Sequence, residues 1–143
     1  MPARILGVDF GDAHVGVAAS DPLGLTAQPR ARIDERELAR AARKVAELAR
    51  ELGAGEVVVG LPVNMDGSEG PRARRSREFG AELEKLLPGV VVRYWDERLT
   101  TAQASRALRG RGSESRKAKV DVVSAQLMLQ SYLDARSRER PTY

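Results

Sequence analysis

The chain has 143 residues, 42% hydrophobic and 31% charged, which fits one globular domain spanning 1–143 with a core of its own and excludes a disordered chain. It has no cysteine and a single histidine, His14, which excludes disulfides, thiolate metal sites and zinc catalysis by several imidazoles. Lys and Arg number 24 against 20 Asp and Glu, a net charge of +4, and this modest excess alone points only weakly to a polyanionic partner.

Residues 4–10 form an apolar run that reads as a buried strand, and residues 15–20 read as a second, with 11–14 short enough for a hairpin between them. A third strand falls between Leu25 and Ile33, where Pro29 argues for an edge or irregular position. Asp34 followed by Glu37 predicts a capping box for a helix whose apolar face is Leu38, Ala42, Val45, Ala49 and Leu52. Gly53 and Gly55 stop it. Residues 56–61 read as a central parallel strand. A breaker-rich loop, 62–70, precedes Pro71, which suits the first turn of a second helix carrying Phe79, Leu83, Leu86 and Leu87 and ending at Pro88-Gly89. Residues 90–95 form the last strand. Thr100 or Thr101 would cap a helix reaching Arg109, residues 110–113 a flexible basic loop, and a final helix would run from about Arg116 to Arg136. An antiparallel start followed by βαβ units predicts an α/β fold: a mixed five-stranded sheet, three antiparallel strands and then parallel ones, with helices on both faces.

No charged lead precedes a long apolar core, and no apolar stretch approaches the roughly 20 residues that span a bilayer, so the expectation is a cytoplasmic protein with no membrane partner. The basic residues cluster. Arg106, Arg109, Arg111, Arg116, Lys117 and Lys119 surround a single Glu114, and Arg72, Arg74, Arg75 and Arg77 form a second group. Each cluster suits either a nucleic-acid contact or a solvated helix face.

Asp9 and Glu97 each end an apolar strand, and Asp121 sits inside an apolar helical stretch. Carboxylates at the edges of buried segments are expensive unless paired. Ends of central parallel strands converge on one crevice, and Ala125, one turn after Asp121, is small enough to let that helix press against the sheet near Asp9. Three carboxylates around one point repel, and a shared divalent cation would relieve them. With Cys absent and one His present, that cation must be held by oxygen, which points to Mg²⁺ or Mn²⁺. Each residue also has a structural reading that is as good when taken singly: Asp9 as a hairpin-turn residue, Glu97 paired with Arg98 or Arg93, Asp121 bridged to Lys117. The run Val8-Asp9-Phe10-Gly11 is shared with the phosphate hairpin of actin-like ATPases, but those close ATP between two lobes and this chain has room for one.

The segments Val8-Asp9-Phe10-Gly11, residues 60–67 (Gly-Leu-Pro-Val-Asn-Met-Asp-Gly), residues 96–101 (Asp-Glu-Arg-Leu-Thr-Thr), and Lys119-Val120-Asp121 with its continuation to Leu133 occur in an order and spacing that resemble the YqgF-type (RuvX-like) family. That family has an RNase H-like fold related to RuvC-type Holliday-junction resolvases. The resemblance implies that Asp9, Glu97 and Asp121 are metal-binding catalytic carboxylates. It also implies hydrolysis of phosphodiester bonds in structured RNA, at the 5′ end of pre-16S ribosomal RNA, or in branched DNA. One departure stands out. Junction resolvases carry a fourth acid about one turn after the helical aspartate, where this chain has Ser124 and Ala125, and Asp134 is about 20 Å further along the helix at 1.5 Å per residue.

Position suggests the remaining contacts. Arg98 suits a substrate phosphate or a pairing with Asp96, Asn64 and Asp66 suit the substrate entry or a turn, and Lys117, Lys119, Arg109 and Arg111 suit the nucleic-acid backbone. His14 fits a hairpin residue better than a base. The resolvase likeness admits a homodimer, though no sequence feature demands one. The competing function is a non-catalytic nucleic-acid-binding module in ribosome assembly, motivated by the absent fourth acid and the basic stretch 106–119.

Overall fold

The computed structural model describes residues 3–100 and 116–139, the side chains of 116–122 and 139 excepted. The strands are β1 (Arg4–Phe10), β2 (His14–Ser20), β3 (Ala27–Asp34), β4 (Ala54–Leu61) and β5 (Val91–Asp96), and the helices are α1 (Leu38–Leu52), α2 (Pro71–Leu86) and α3 (Arg116–Glu139). They form one five-stranded sheet in the order β3-β2-β1-β4-β5. β1 pairs antiparallel with β2, β2 antiparallel with β3, and β4 lies parallel to both β1 and β5. This is the mixed sheet expected from the sequence. The Thr100–Arg109 helix and the 110–113 loop lie outside the described residues beyond Thr100, which ends a 3-10 turn, Glu97–Leu99.

Strand alternation sends side chains to two cores. Leu6, Val8, Phe10, Val15, Val17, Val57 and Val59 face α1 and α2, where Phe10 stacks on Phe79 at 4.5 Å between ring centroids. Ile5, Ala18 and Val58 face α3 through Ala125, Met128, Leu129 and Leu133. β3 is an edge strand, and its register against β2 shifts so that Ala18 faces Pro29, a position where the missing N–H is tolerated. Gly53 ends α1 in the left-handed conformation at φ 66°.

The capping box at Asp34 is not formed. Asp34 is the last residue of β3, directly across the ladder from His14. Its Oδ1 lies 2.8 Å from His14 Nδ1 and 2.9 Å from Arg32 Nε, and α1 begins only at Leu38 with Glu37 in the cap position and no side-chain cap bond. Cross-strand partners brought in by the sheet outcompete the local cap.

α3 crosses the sheet at Gly7. A Cβ added there would stand 2.7 Å from Leu129 Cβ and 3.3 Å from the Ala125 carbonyl oxygen, so only glycine admits this approach. Two glutamines fix the helix over the β3 edge: Gln130 Oε1 accepts from Ala27 N at 2.9 Å, and Gln126 Nε2 donates to Ala27 O at 3.1 Å. Near the end of α3, the buried Glu56 carboxylate accepts from the Tyr132 hydroxyl and pairs with Arg136 at 2.8 Å and Arg93 at 3.2 Å. Burial and the Glu56 charge push the Tyr132 hydroxyl up to about 12.

Two outcomes are expected. Gly7→Val should lower unfolding stability by about 1–3 kcal/mol through overpacking against Leu129, measured by urea denaturation. Folded Tyr132 holds its proton more tightly than the unfolded chain does, so its stabilising contribution is complete below the ordinary tyrosine value of about 10. That contribution is lost as pH rises through about 12. The alkaline fall in the urea midpoint should be shallower in Tyr132→Phe than in wild type.

Candidate active site

Asp9 lies on the α3 face of the sheet, the face that Ile5 and Gly7 share. Asp9 pairs with Gly16 on β2, and on the other side the β1–β4 register places Val8 beside Val59, so Gly60 comes next to Asp9. Asp9 therefore stands between two positions without side chains, within the ladder and not in the hairpin turn. Glu97 begins the 3-10 turn that follows β5, one residue past Asp96, whose side chain caps that turn by accepting from Arg98 N at 2.9 Å. A Cβ on Gly60 would meet Glu97 Oε1 at 2.7 Å, so the Glu97 carboxyl lies over Gly60 and within hydrogen-bonding reach of Asp9.

Burial pushes the Glu97 carboxyl above the usual glutamate range. The hydrogen bond with Asp9 and the positive charge of Arg72 oppose this rise, and the charge of Asp96 adds to it. The two arginines that could have paired with Glu97 are engaged elsewhere: Arg98 Nη2 lies 2.7 Å from Asp96 Oδ2, and Arg93 is paired with Glu56. The Asp9 and Glu97 carboxyls share this spot.

Asp121 is a residue of α3, one turn before Ala125, and its side chain lies outside the described residues, as do those of Lys117 and Lys119. Arg109 and Arg111 lie outside them altogether. Among the described residues no group of three His, Cys, Asp or Glu is placed to hold a metal; Asp9 and Glu97 form a pair. His14 sits one strand beyond Asp9, held by Asp34 and by Arg32 Nη2 at 3.1 Å. Asp134 accepts from Gln130 at 3.0 Å, on the far side of Ala125 from Asp121, and takes no part in the site.

Beside Glu97 opens a cleft of about 460 Å³, lined by Pro62, Val63, Asn64, Gly70, Pro71, Arg72 and Arg98. The loop that forms its wall is closed on itself: Asn64 Nδ2 donates to Ser68 Oγ at 3.0 Å, and Asp66 Oδ1 accepts from Ser68 N at 2.9 Å. Asp66 is thus a turn residue, while Asn64 does both jobs, closing the loop and facing the cleft. Arg72 was visible in the sequence only as one of a basic cluster. Gly60, over which the Glu97 carboxyl lies, carried no signal for that role because it depends on which strands become neighbours.

The RuvX family, described as Holliday junction resolvase, matches residues 3–135. The chain belongs to that family. A relative from Ruminiclostridium cellulolyticum is 42% identical over 92% of this chain and 94% of its own length, and one from Myxococcus xanthus is 47% identical over 92% and 88%. Both are provisionally named pre-16S rRNA nuclease. Among solved structures, RuvC of T. thermophilus in complex with Holliday junction substrate superposes with a TM-score of 0.64 over 95% of this chain and 96% of that one, at 15% identity. The fowlpox virus resolvase with its junction DNA gives 0.59 over 92% and 97%, at 12% identity. These likenesses establish the RNase H-like fold, and the family is one of nucleases.

The raised Glu97 value fixes a sign. The folded state holds this proton more tightly than the unfolded state, so the contribution is complete below the ordinary glutamate value of about 4.3 and is lost as pH rises through the raised folded one. At neutral pH the ionised Glu97 beside Asp9 therefore burdens the fold. In chelator, Glu97→Gln should melt above wild type at neutral pH, and the difference should vanish on acidification below about 4. Differential scanning fluorimetry across pH measures both.

Proposed function

We propose that residues 1–143 act as one nuclease domain, a metal-dependent endonuclease that hydrolyses phosphodiester bonds of structured nucleic acid. The substrate is the 5′ end of pre-16S ribosomal RNA or branched DNA. The observation that carries this reading is the Asp9–Glu97 pair, two carboxyls within hydrogen-bonding reach, with Glu97 lying over Gly60. Asp121 is the third member of this reading, which the position of its backbone on α3 supports. The step from Gly7 to Asp9 along β1 covers about 6.6 Å, and one turn of α3 from Ala125 back to residue 121 covers about 6 Å, so the two positions draw level from the Gly7–Ala125 contact.

The donor set fits a hard divalent cation, Mg²⁺ or Mn²⁺, because it is all oxygen and because two carboxyls crowd where one positive charge would satisfy both. Asp9, Glu97 and Asp121 would hold the ion, which would supply Lewis acidity toward a phosphodiester. The chain's own residues prepare the place. Asp9 is fixed by its pairing with Gly16 of β2, and Glu97 is set by the Asp96-capped turn. The absence of an acid at Ser124 or Ala125 favours a site built on three carboxylates, completed by water or substrate oxygens.

Purified protein with Mg²⁺ or Mn²⁺ should cleave labelled precursor-like RNA or junction DNA. Asp9→Asn, Glu97→Gln and Asp121→Asn should each slow cleavage by about 100-fold or more while leaving binding in chelator largely intact. Undiminished cleavage by a variant would remove that residue from the site. Binding that is insensitive to chelator, with no turnover of any substrate, would turn the reading to the non-catalytic module.

A further inference from the structure

The cations around the cleft divide into two kinds. Arg75 donates to the Arg36 carbonyl at 3.2 Å and lies over Phe10, while Arg77 pairs with Glu69 at 2.6 Å and lies over Tyr94. Arg98 is also committed: its Nε and Nη2 grip Asp96 and its Nη1 donates to the Met65 carbonyl at 3.3 Å. Arg72 is the exception. It is exposed, lines the cleft with Glu97, and among the described residues its guanidinium has no ion pair or hydrogen bond. Its charge nevertheless reaches the Glu97 carboxyl.

Resting on the nuclease reading above, we propose that Arg72 binds the backbone phosphate next to the scissile one, in the cleft beside Glu97, and that Arg98 holds the cleft wall and touches no nucleic acid. The chemistry selects a phosphodiester. Among the described residues Glu97 is the only carboxylate on the lining, Asn64 is neutral, and Arg72 offers a planar fork of donors matched to phosphate oxygens. Arg98 ties the Met65 carbonyl to the turn that carries Glu97, and the loop is closed by Asn64 N to Ser68 O and Gly67 N to Asn64 O, each 2.9 Å. The wall stays in place whether or not a strand is bound. The sequence offered Arg98 as the phosphate ligand or as the partner of Asp96, and the geometry assigns it the second role and moves the first to Arg72.

The test uses substrates with a single methylphosphonate, which removes one charge, at each phosphate flanking the cleavage position. Binding is measured in chelator and cleavage in Mg²⁺ or Mn²⁺. Arg72→Met should weaken binding and raise KM by about 10- to 100-fold with little change in kcat, and Arg72→Lys should recover part of the loss. One methylphosphonate position should weaken wild type by a similar factor and leave Arg72→Met unaffected. Arg98→Met should remain sensitive at that position. Equal binding by Arg72→Met and wild type, or losses from Arg72→Met that add to every methylphosphonate, would overturn the proposal. If wild type cleaves nothing, the nuclease reading fails and the binding series still decides Arg72.

Discussion

The closeness of α3 to β1 at Gly7 is the constraint on which the rest of the molecule depends. Leu129 Cβ and the Ala125 carbonyl occupy the space that any side chain at position 7 would need. With that approach, Ile5, Val58, Met128 and Leu133 close a second core on the face opposite α1 and α2. The glutamines of α3 can then reach the backbone of the edge strand, and Tyr132 and Arg136 can reach Glu56. The same contact sets the axial position of the helix, and so the level at which residue 121 stands relative to Asp9. A shift of one turn would repack the core and separate those positions together.

At the other end of the sheet the chain keeps polar groups that a stability-driven sequence would discard. Asp9 and Glu97 lie within reach of each other, and burial holds the Glu97 carboxyl toward its protonated form. Natural proteins tolerate such groups where activity requires them, at the expense of stability. The surroundings limit that burden without removing it: Arg72 lends a positive field, and Asp96 turns its charge toward Arg98.

Charge allocation also separates structural from functional arginines. A basic cluster looks uniform in sequence, yet here Arg77 staples α2 to Glu69 and Tyr94, Arg75 covers Phe10, and Arg98 ties a turn to a loop. Once those bonds are counted, the charge open to a polyanion on the cleft lining comes, among the described residues, from Arg72. Net charge alone would not have made that division, because the allocation depends on which acids and carbonyls folding brings near each guanidinium.

Much of the fold was legible in the chain itself. Apolar runs and glycine or proline breakers marked β1, β2, β4, β5, α1, α2 and α3, and Pro29 correctly marked the edge position of β3, because these features report local periodicity and backbone restriction. The absence of Cys, the single His and the acidic strand ends restricted any metal to oxygen ligands before any geometry was known. What the sequence could not decide were pairings between distant residues. Asp34 looked like a helix cap but serves His14 and Arg32, Arg98 suited either a phosphate or Asp96 and lies paired with Asp96, and Gly60 looked like an ordinary glycine but admits the Glu97 carboxyl. The sequence by itself determined the elements and the kinds of donor available. Only the tertiary structure decided which donors meet, because the partners of a carboxylate or a guanidinium come from strands and turns far apart in the chain.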